Sequence, residues 1–164
     1  MRRGARREPG VRARDLAEKY ETVGLDSDAL DAARLMAAHR LPALLVVDDE
    51  GAPQAVLPAS QMVKILVPGY VIEDPALAAV IDERHADRLC AALAGRAVRD
   101  CLSKTTPPPV VAAPDETALE VAAHMAQARS PLVAVVDKDK AGTRLLGVIT
   151  ASHLLERLLA ASSL

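Results

Sequence analysis

The sequence predicts an α/β fold in which one β-α-β-β-α unit is written twice, with an extra helical stretch between the copies. Three observations predict it. First, "ALDAARLMAAHRLPALLVVD" (29–48) aligns without a gap on "ALEVAAHMAQARSPLVAVVD" (118–137), and ten of the twenty positions are identical: Ala29, Leu30, Ala33, Met36, Ala37, Arg40, Pro42, Val46, Val47 and Asp48 recur. Second, the match extends forward, where "AVLPASQMV" (55–63) meets "GVITASHLL" (147–155), and backward, where Arg14-Asp15 meets Arg99-Asp100. Self-similarity on this scale marks a tandem duplication. Third, each copy alternates helix-period and strand-like apolar segments, the pattern of a layered helix-on-sheet domain.

The elements follow in order. Residues 1–10 form a basic arm, part of a start with six arginines in the first fourteen residues; it reads as disordered or as a contact for phosphate or an acidic partner. Repeat 1 spans 11–67, a helical linker 68–95, and repeat 2 96–161. Each repeat starts with a short helical turn, "RARDLA" or "AVRDCL", then an extended piece, "TVGL" or "PVVAA". A helix follows. Asp28 can cap it in the first copy, with Asp31 at the third helical position; Thr117 and Glu120 have capping-box spacing in the second. Leu30, Ala33, Met36 and Ala37, and then Leu119, Ala122, Met125 and Ala126, are expected to form the buried stripes. The methionines read as core filler. "PALLVVD" and "PLVAVVD" are continuous apolar runs suited to strands buried on both faces. A polar turn, "DEGAPQ" or "KDKAGTR", leads to a second strand, and a last helix closes each unit, over about 60–67 and 152–159. In the linker, Asp74 is a candidate N-cap, Pro75 suits the first helical position and Gly95 is a natural stop. Leu77, Val80, Ile81, Leu89 and Leu93 give an amphipathic face to one helix, or to two with a break near Asp82–His85.

Composition narrows the function classes. Half of the 164 residues are apolar, but there is no Phe or Trp and only two Tyr. Ala, Val and Leu must fill the core. The net charge of −2 gives no general field for nucleic acid, and aromatics for base stacking are almost absent. No apolar run reaches membrane-spanning length, and the Arg-rich start lacks a following apolar region, so no membrane insertion and a cytoplasmic location are expected. Cys90 and Cys101 are read as ordinary thiols, with Cys90 on an apolar helix face. His39, His85 and His124 lack metal-ligand spacing, and no nucleophile-elbow, P-loop or dinucleotide motif is present, so neither metal chemistry nor catalysis is expected.

The duplicated unit, the "P–apolar run–VVD" strand and the "GVITAS" strand-to-helix turn together resemble a tandem pair of CBS (cystathionine-β-synthase-type) domains, a Bateman module. The resemblance covers about residues 10–160. It implies two repeats packed around a pseudo-twofold axis, clefts between them that in many members take adenine nucleotides, and a homodimer that regulates an enzyme or transporter. It also implies that the turn after the last strand carries a hydroxyl for a phosphate and, three residues later, an aspartate for the ribose. Here Thr150 fits the hydroxyl and His153 stands at the aspartate position. In repeat 1, Pro58 and Gln61 occupy these places. A neutral imidazole accepts one hydrogen bond and cannot grip two hydroxyls as a carboxylate does. The better cleft is therefore expected from Thr150 and His153 with Lys104, Thr105, Thr106, Val110, Ser130 and Pro131. The weaker one would use Tyr20, Thr22, Leu41, Pro42 and Gln61. Thr150 can equally cap the last helix, with His153 on its solvated face.

The expected function is a regulatory module sensing AMP, ADP, ATP or S-adenosylmethionine, with no required cofactor. The alternative is a ligand-free dimerisation or assembly module that presents the linker helix, 75–94, to another protein. Apolar side chains around Met62–Leu66 and Leu154–Leu159 favour a homodimer in either case.

Overall fold

A computed structural model describes residues 10–80, 86–104, 106 and 108–161. The chain divides into two compact units, one built from residues up to Tyr20, Gly51–Pro53 and the chain from Pro109 on, the other from Glu21–Glu50 and Gln54–Pro108. Each contains one three-stranded sheet.

In the unit of Glu21–Glu50 and Gln54–Pro108, β1 (Thr22–Gly24) pairs in parallel with β2 (Ala43–Val47), which neighbours β3 (Pro53–Pro58). Helix α2 (Ala29–His39) starts where the Asp28 carboxylate accepts the Leu30 and Asp31 amides, at 2.8 and 3.1 Å. It ends at Arg40 in the left-handed region, φ 51°. A helix α3 (Ala59–Leu66) follows β3 directly. Its first amide, from Ala59, donates to the Pro42 carbonyl (2.9 Å), so the residue just before β2 also holds the next helix.

The other unit repeats these devices. Strand β4 (Val111–Ala112) is parallel to β5 (Leu132–Asp139), and β5 is antiparallel to β6 (Gly142–Thr150) with an irregularity at Val135/Val136. Helix α7 (Ala118–Ala128) carries the expected capping box: Thr117 Oγ1 accepts the Glu120 amide (3.2 Å) and Glu120 Oε2 accepts the Thr117 amide (3.3 Å). Arg129 ends it at φ 51°, as Arg40 ends α2. The Ala151 amide, first in helix α8 (Ala151–Ala161), donates to the Pro131 carbonyl (3.0 Å).

Two short helices pack with elements of the other repeat within their units. Helix α1 (Ala13–Leu16) opens the chain's first repeat yet packs with α7: the Ala13 amide donates to the Glu116 carbonyl (2.8 Å), the Arg14 amide to the Pro114 carbonyl (3.0 Å), and Arg14 pairs with Asp115. Helix α6 (Val98–Cys101) opens the second repeat yet packs with α2: the Val98 amide donates to the Ser27 carbonyl (2.8 Å), and Arg99 pairs with Asp26. The recurring Arg-Asp dipeptides explain themselves here. The Arg reaches the loop before the neighbouring helix, while the Asp carboxylate accepts its own helix's leading amide, Arg12 N–H at 2.9 Å and Ala97 N–H at 3.1 Å.

The sequence patterns need several corrections. The buried helix faces are Ala29, Ala32 and Met36 in α2 and Val121 and Met125 in α7. Ala37 and Ala126 are exposed, and Leu119 is 74% exposed. The helical period holds, but the buried face is offset from the repeated residues: Leu30, Ala33 and Ala122 are only half-buried. The turn in "KDKAGTR" shrinks to Lys140-Ala141, since β5 and β6 continue their pairing to Asp139↔Gly142. The linker is not one α-helix. It comprises α4 (Gly69–Glu73), a 3₁₀ segment (Pro75–Val80) and α5 (Ala86–Ala91), and Gly95 breaks the chain at φ +75°. Leu77 is 38% exposed whereas Leu93 is fully buried in the core of its unit with Val98 and Cys101. Cys90 is exposed, against its expected apolar face. The expected break at Asp82–His85, Ile81, Thr105 and residues 1–9 of the arm lie outside the described residues.

Buried Cys101 has a thiol pushed above its ordinary value of 9.0, chiefly by desolvation and further by Asp100, with Arg96 opposing. A raised thiol value means that the native state holds this proton more tightly than the unfolded chain. The stability linked to it is fully present below the ordinary thiol range and is lost as pH rises through the raised value. Native protein is expected to react with a disulfide reagent rapidly at one thiol per chain, Cys90, and at both only after denaturation. Equal rates at both thiols would contradict the burial of Cys101.

Candidate functional site

The candidate site in the Pro109–Leu164 unit lies where β6 turns into α8. Val148 and Ile149 are buried and bring the chain to the surface at half-buried Thr150. Thr150 Oγ1 accepts the His153 amide (3.2 Å), which satisfies one of the unpaired donors of the first helical turn. It also lies 3.4 Å from Ser152 Oγ. The cap uses an oxygen lone pair, so the hydroxyl proton can still be given to Ser152 or to a ligand oxygen. Thr150 therefore combines the helix-capping role with a donor at a helix N-terminus, where the helix dipole favours an anion.

His153 does not stand on a solvated face. Its side chain is 21% exposed and Nδ1 lies 3.5 Å from Glu18 Oε1, whose side chain is 61% exposed. Nδ1 itself is buried and makes no hydrogen bond. Glu18 is placed by its backbone: its amide donates to the Val148 carbonyl (3.0 Å), and the Val148 amide donates back to the Glu18 carbonyl (2.9 Å). This adds one residue of extended chain to the edge of β6. Gly147 permits the approach, because a Cβ there would lie 2.8 Å from the Glu18 carbonyl oxygen and 3.1 Å from the Ala17 Cβ.

The other walls of this unit are partly structural. Ser130 Oγ donates to the Leu132 carbonyl (2.7 Å), and the Pro131 carbonyl is taken by α8. Half-buried Val110 uses its carbonyl to accept the Ala134 amide (2.9 Å), joining β4 to β5. Tyr20, assigned from sequence to the weaker cleft, belongs to this unit and is half-buried.

Lys104 and Thr106 fall in the other unit. Lys104 is exposed. Thr106 Oγ1 accepts the Ser103 amide (2.9 Å) in a local turn. In the same unit Thr22 and Pro42 are exposed, and Leu41 and Gln61 are half-buried. Pro58 precedes α3 without a side-chain cap, so this unit lacks the hydroxyl that Thr150 supplies to α8.

The residue that sequence reasoning missed is Glu18. It lies far from His153 along the chain, and no local pattern marks a strand-edge contact of one residue. His124, the other histidine on a helix of this unit, has its Nε2 2.8 Å from Glu116 Oε1. Among the described residues no group of three or more His, Cys, Asp or Glu is placed to hold a metal ion, and no helix is long and apolar enough to cross a membrane.

Comparison with known proteins places this architecture. The CBS domain family matches residues 13–67 and 98–160. No curated protein sequence matches the chain. Among solved structures, a CBS domain-containing protein of unknown function from Kribbella flavida is 49% identical, covers 92% of this chain and 99% of its own, and superposes with a TM-score of 0.81. The CBS domain of a membrane protein from Sphaerobacter thermophilus is 25% identical over 90% of this chain and 88% of its own, TM-score 0.65. The CBS-pair protein CBSX2 from Arabidopsis thaliana, 18% identical over 93% of this chain and 97% of its own, shares the fold with a TM-score of 0.70. A CBSX2 structure in complex with AMP, 17% identical over 93% of this chain and 99% of its own, gives 0.64. With both repeats matched and the repeated β-α-β-β-α order present in the structure, the chain belongs to the CBS domain family as a tandem CBS pair.

Proposed function

We propose that this CBS pair is a regulatory module that senses an adenosine-containing ligand (AMP, ADP, ATP or S-adenosylmethionine) and signals its occupancy to a partner protein, with no catalytic step of its own. The observation that carries this reading is the Thr150 hydroxyl, held at the start of an eleven-residue helix with His153 beside it. Supporting it, CBSX2, a protein of the same fold, is in complex with AMP. Signalling would be by linkage: a ligand that prefers one arrangement of the protein shifts the population toward it, by no more than its differential affinity.

Ligand binding to the native state raises the unfolding midpoint. The rise produced by AMP is expected to fall sharply in Thr150→Val and to survive in Thr150→Ser, which keeps both the cap and the donor. An undiminished rise in Thr150→Val would remove Thr150 from the site.

Under either reading the module is proposed to be a homodimer. Leu155 and Leu159 are one helical turn apart on α8 and are 56% and 59% exposed, the kind of stripe that a twofold partner covers. The proposed homodimer is tested by light scattering at micromolar concentration, where a strict monomer would count against it.

A further inference from the structure

We infer that Glu18 is a positioning residue for His153, selecting the ring form that presents Nε2 as an acceptor to the ligand. The inference rests on the ligand-binding reading of this site and deepens it. His153 has a buried Nδ1, without a hydrogen bond, 3.5 Å from a carboxylate oxygen of Glu18. A carboxylate only accepts, so the ring nitrogen facing it carries the hydrogen and the opposite nitrogen of the neutral ring carries the lone pair. The two ends of the relation are fixed independently of these side chains. The Glu18 backbone is held by its reciprocal bonds to Val148, and the His153 amide is held by Thr150 Oγ1. The Glu18 side chain is 61% exposed, so packing does not hold its carboxylate away from a nitrogen that is costly to leave unpaired.

The chemical consequence is a preference for the ligand's donor. Thr150 offers a hydroxyl proton, which suits an acceptor such as a phosphate oxygen. Nε2 offers a lone pair, which suits a ligand O–H such as a sugar hydroxyl. A ligand with an anionic end and a hydroxyl-bearing ring meets both groups; a simple phosphate meets only one.

The test is nitrogen-15 NMR of the histidine rings in the full chain, at a pH high enough for neutral imidazoles, with His153 assigned from its missing signals in His153→Asn. The wild type is expected to show mainly the Nδ1–H form, Glu18→Gln to retain it in part, and Glu18→Ala to move to the Nε2–H form that imidazoles favour without a partner. A dominant Nε2–H form in the wild type, or no change in Glu18→Ala, would overturn the inference. In calorimetry, AMP is expected to bind the wild type about tenfold more tightly than its 2′,3′-dideoxy analogue, the worth of about one hydrogen bond. That gap should collapse in Glu18→Ala, and a gap of unchanged size would also overturn the inference. If the wild type bound neither probe while its ring held the Nδ1–H form, the adenylate reading would fail and the Glu18–His153 relation would stand.

Discussion

Replacing Gly147 by valine is expected to lower unfolding stability by about 2–3 kcal/mol, through overpacking and the loss of two backbone hydrogen bonds. The cause is local and steric. The glycine sits where the Ala17-Glu18 backbone crosses the edge of β6, and the first added carbon would lie 2.8 Å from a carbonyl oxygen. That oxygen belongs to a backbone segment and cannot swing aside as a side chain does. The segment must lift, and the bonds between Glu18 and Val148, at 3.0 and 2.9 Å, must break. Hydrogen exchange should therefore accelerate at the Glu18 and Val148 amides, while Ala134, whose amide donates to Val110 on the far side of the sheet, keeps its protection. A variant with wild-type stability and unchanged exchange at Val148 would show that the segment is not seated on β6. The same substitution is expected to separate Glu18 from His153 and so to impair the site as well as the fold.

The second large effect concerns the linker. Leu93→Ala is expected to cost about 2–4 kcal/mol, in the range for a buried leucine truncated to alanine. Leu77→Ala is expected to stay within about 0.5 kcal/mol of wild type. Leu93 is fully buried in a cluster with Ala29, Met36, Val98 and Cys101, whereas Leu77 is 38% exposed on the 3₁₀ segment. The two leucines were equivalent members of one amphipathic face in the sequence. Their difference in urea denaturation separates a linker that is part of the core at its C-terminal end from one that is a uniform helix for display. Equal small losses in both variants would restore the display reading.

The repeats, the two capping arrangements and the buried apolar strands were legible because each is written locally, in periodicity or at a fixed spacing. Asp28 and Thr117 cap the helices they were expected to cap. Strand runs such as Ala43–Val46 are buried at every residue, as a run without polar interruptions implies. The exact helix face was less legible, because Leu30 and Leu119 are strong apolar markers on residues that the sheet does not cover fully. The seating of α1 on α7 and of α6 on α2 depends on backbone hydrogen bonds between distant segments, which leave no periodic trace. The paired Arg-Asp dipeptides were visible as a repeat, but not as a clamp. At the candidate site, Thr150 could be singled out by its place in the strand-to-helix turn. The environment of His153 could not, because it depends on Glu18.

Isothermal calorimetry of the purified chain with AMP, ADP, ATP and S-adenosylmethionine is the measurement that decides whether the proposed site at Thr150 takes an adenosine-containing ligand. Saturable heat from at least one of these ligands, at about one ligand per chain and lost in Thr150→Val, is the predicted result. No heat from any of the four, across temperatures at which a binding enthalpy would be visible, would contradict the proposal and leave the exposed leucines of α8 as the feature of this CBS pair to pursue.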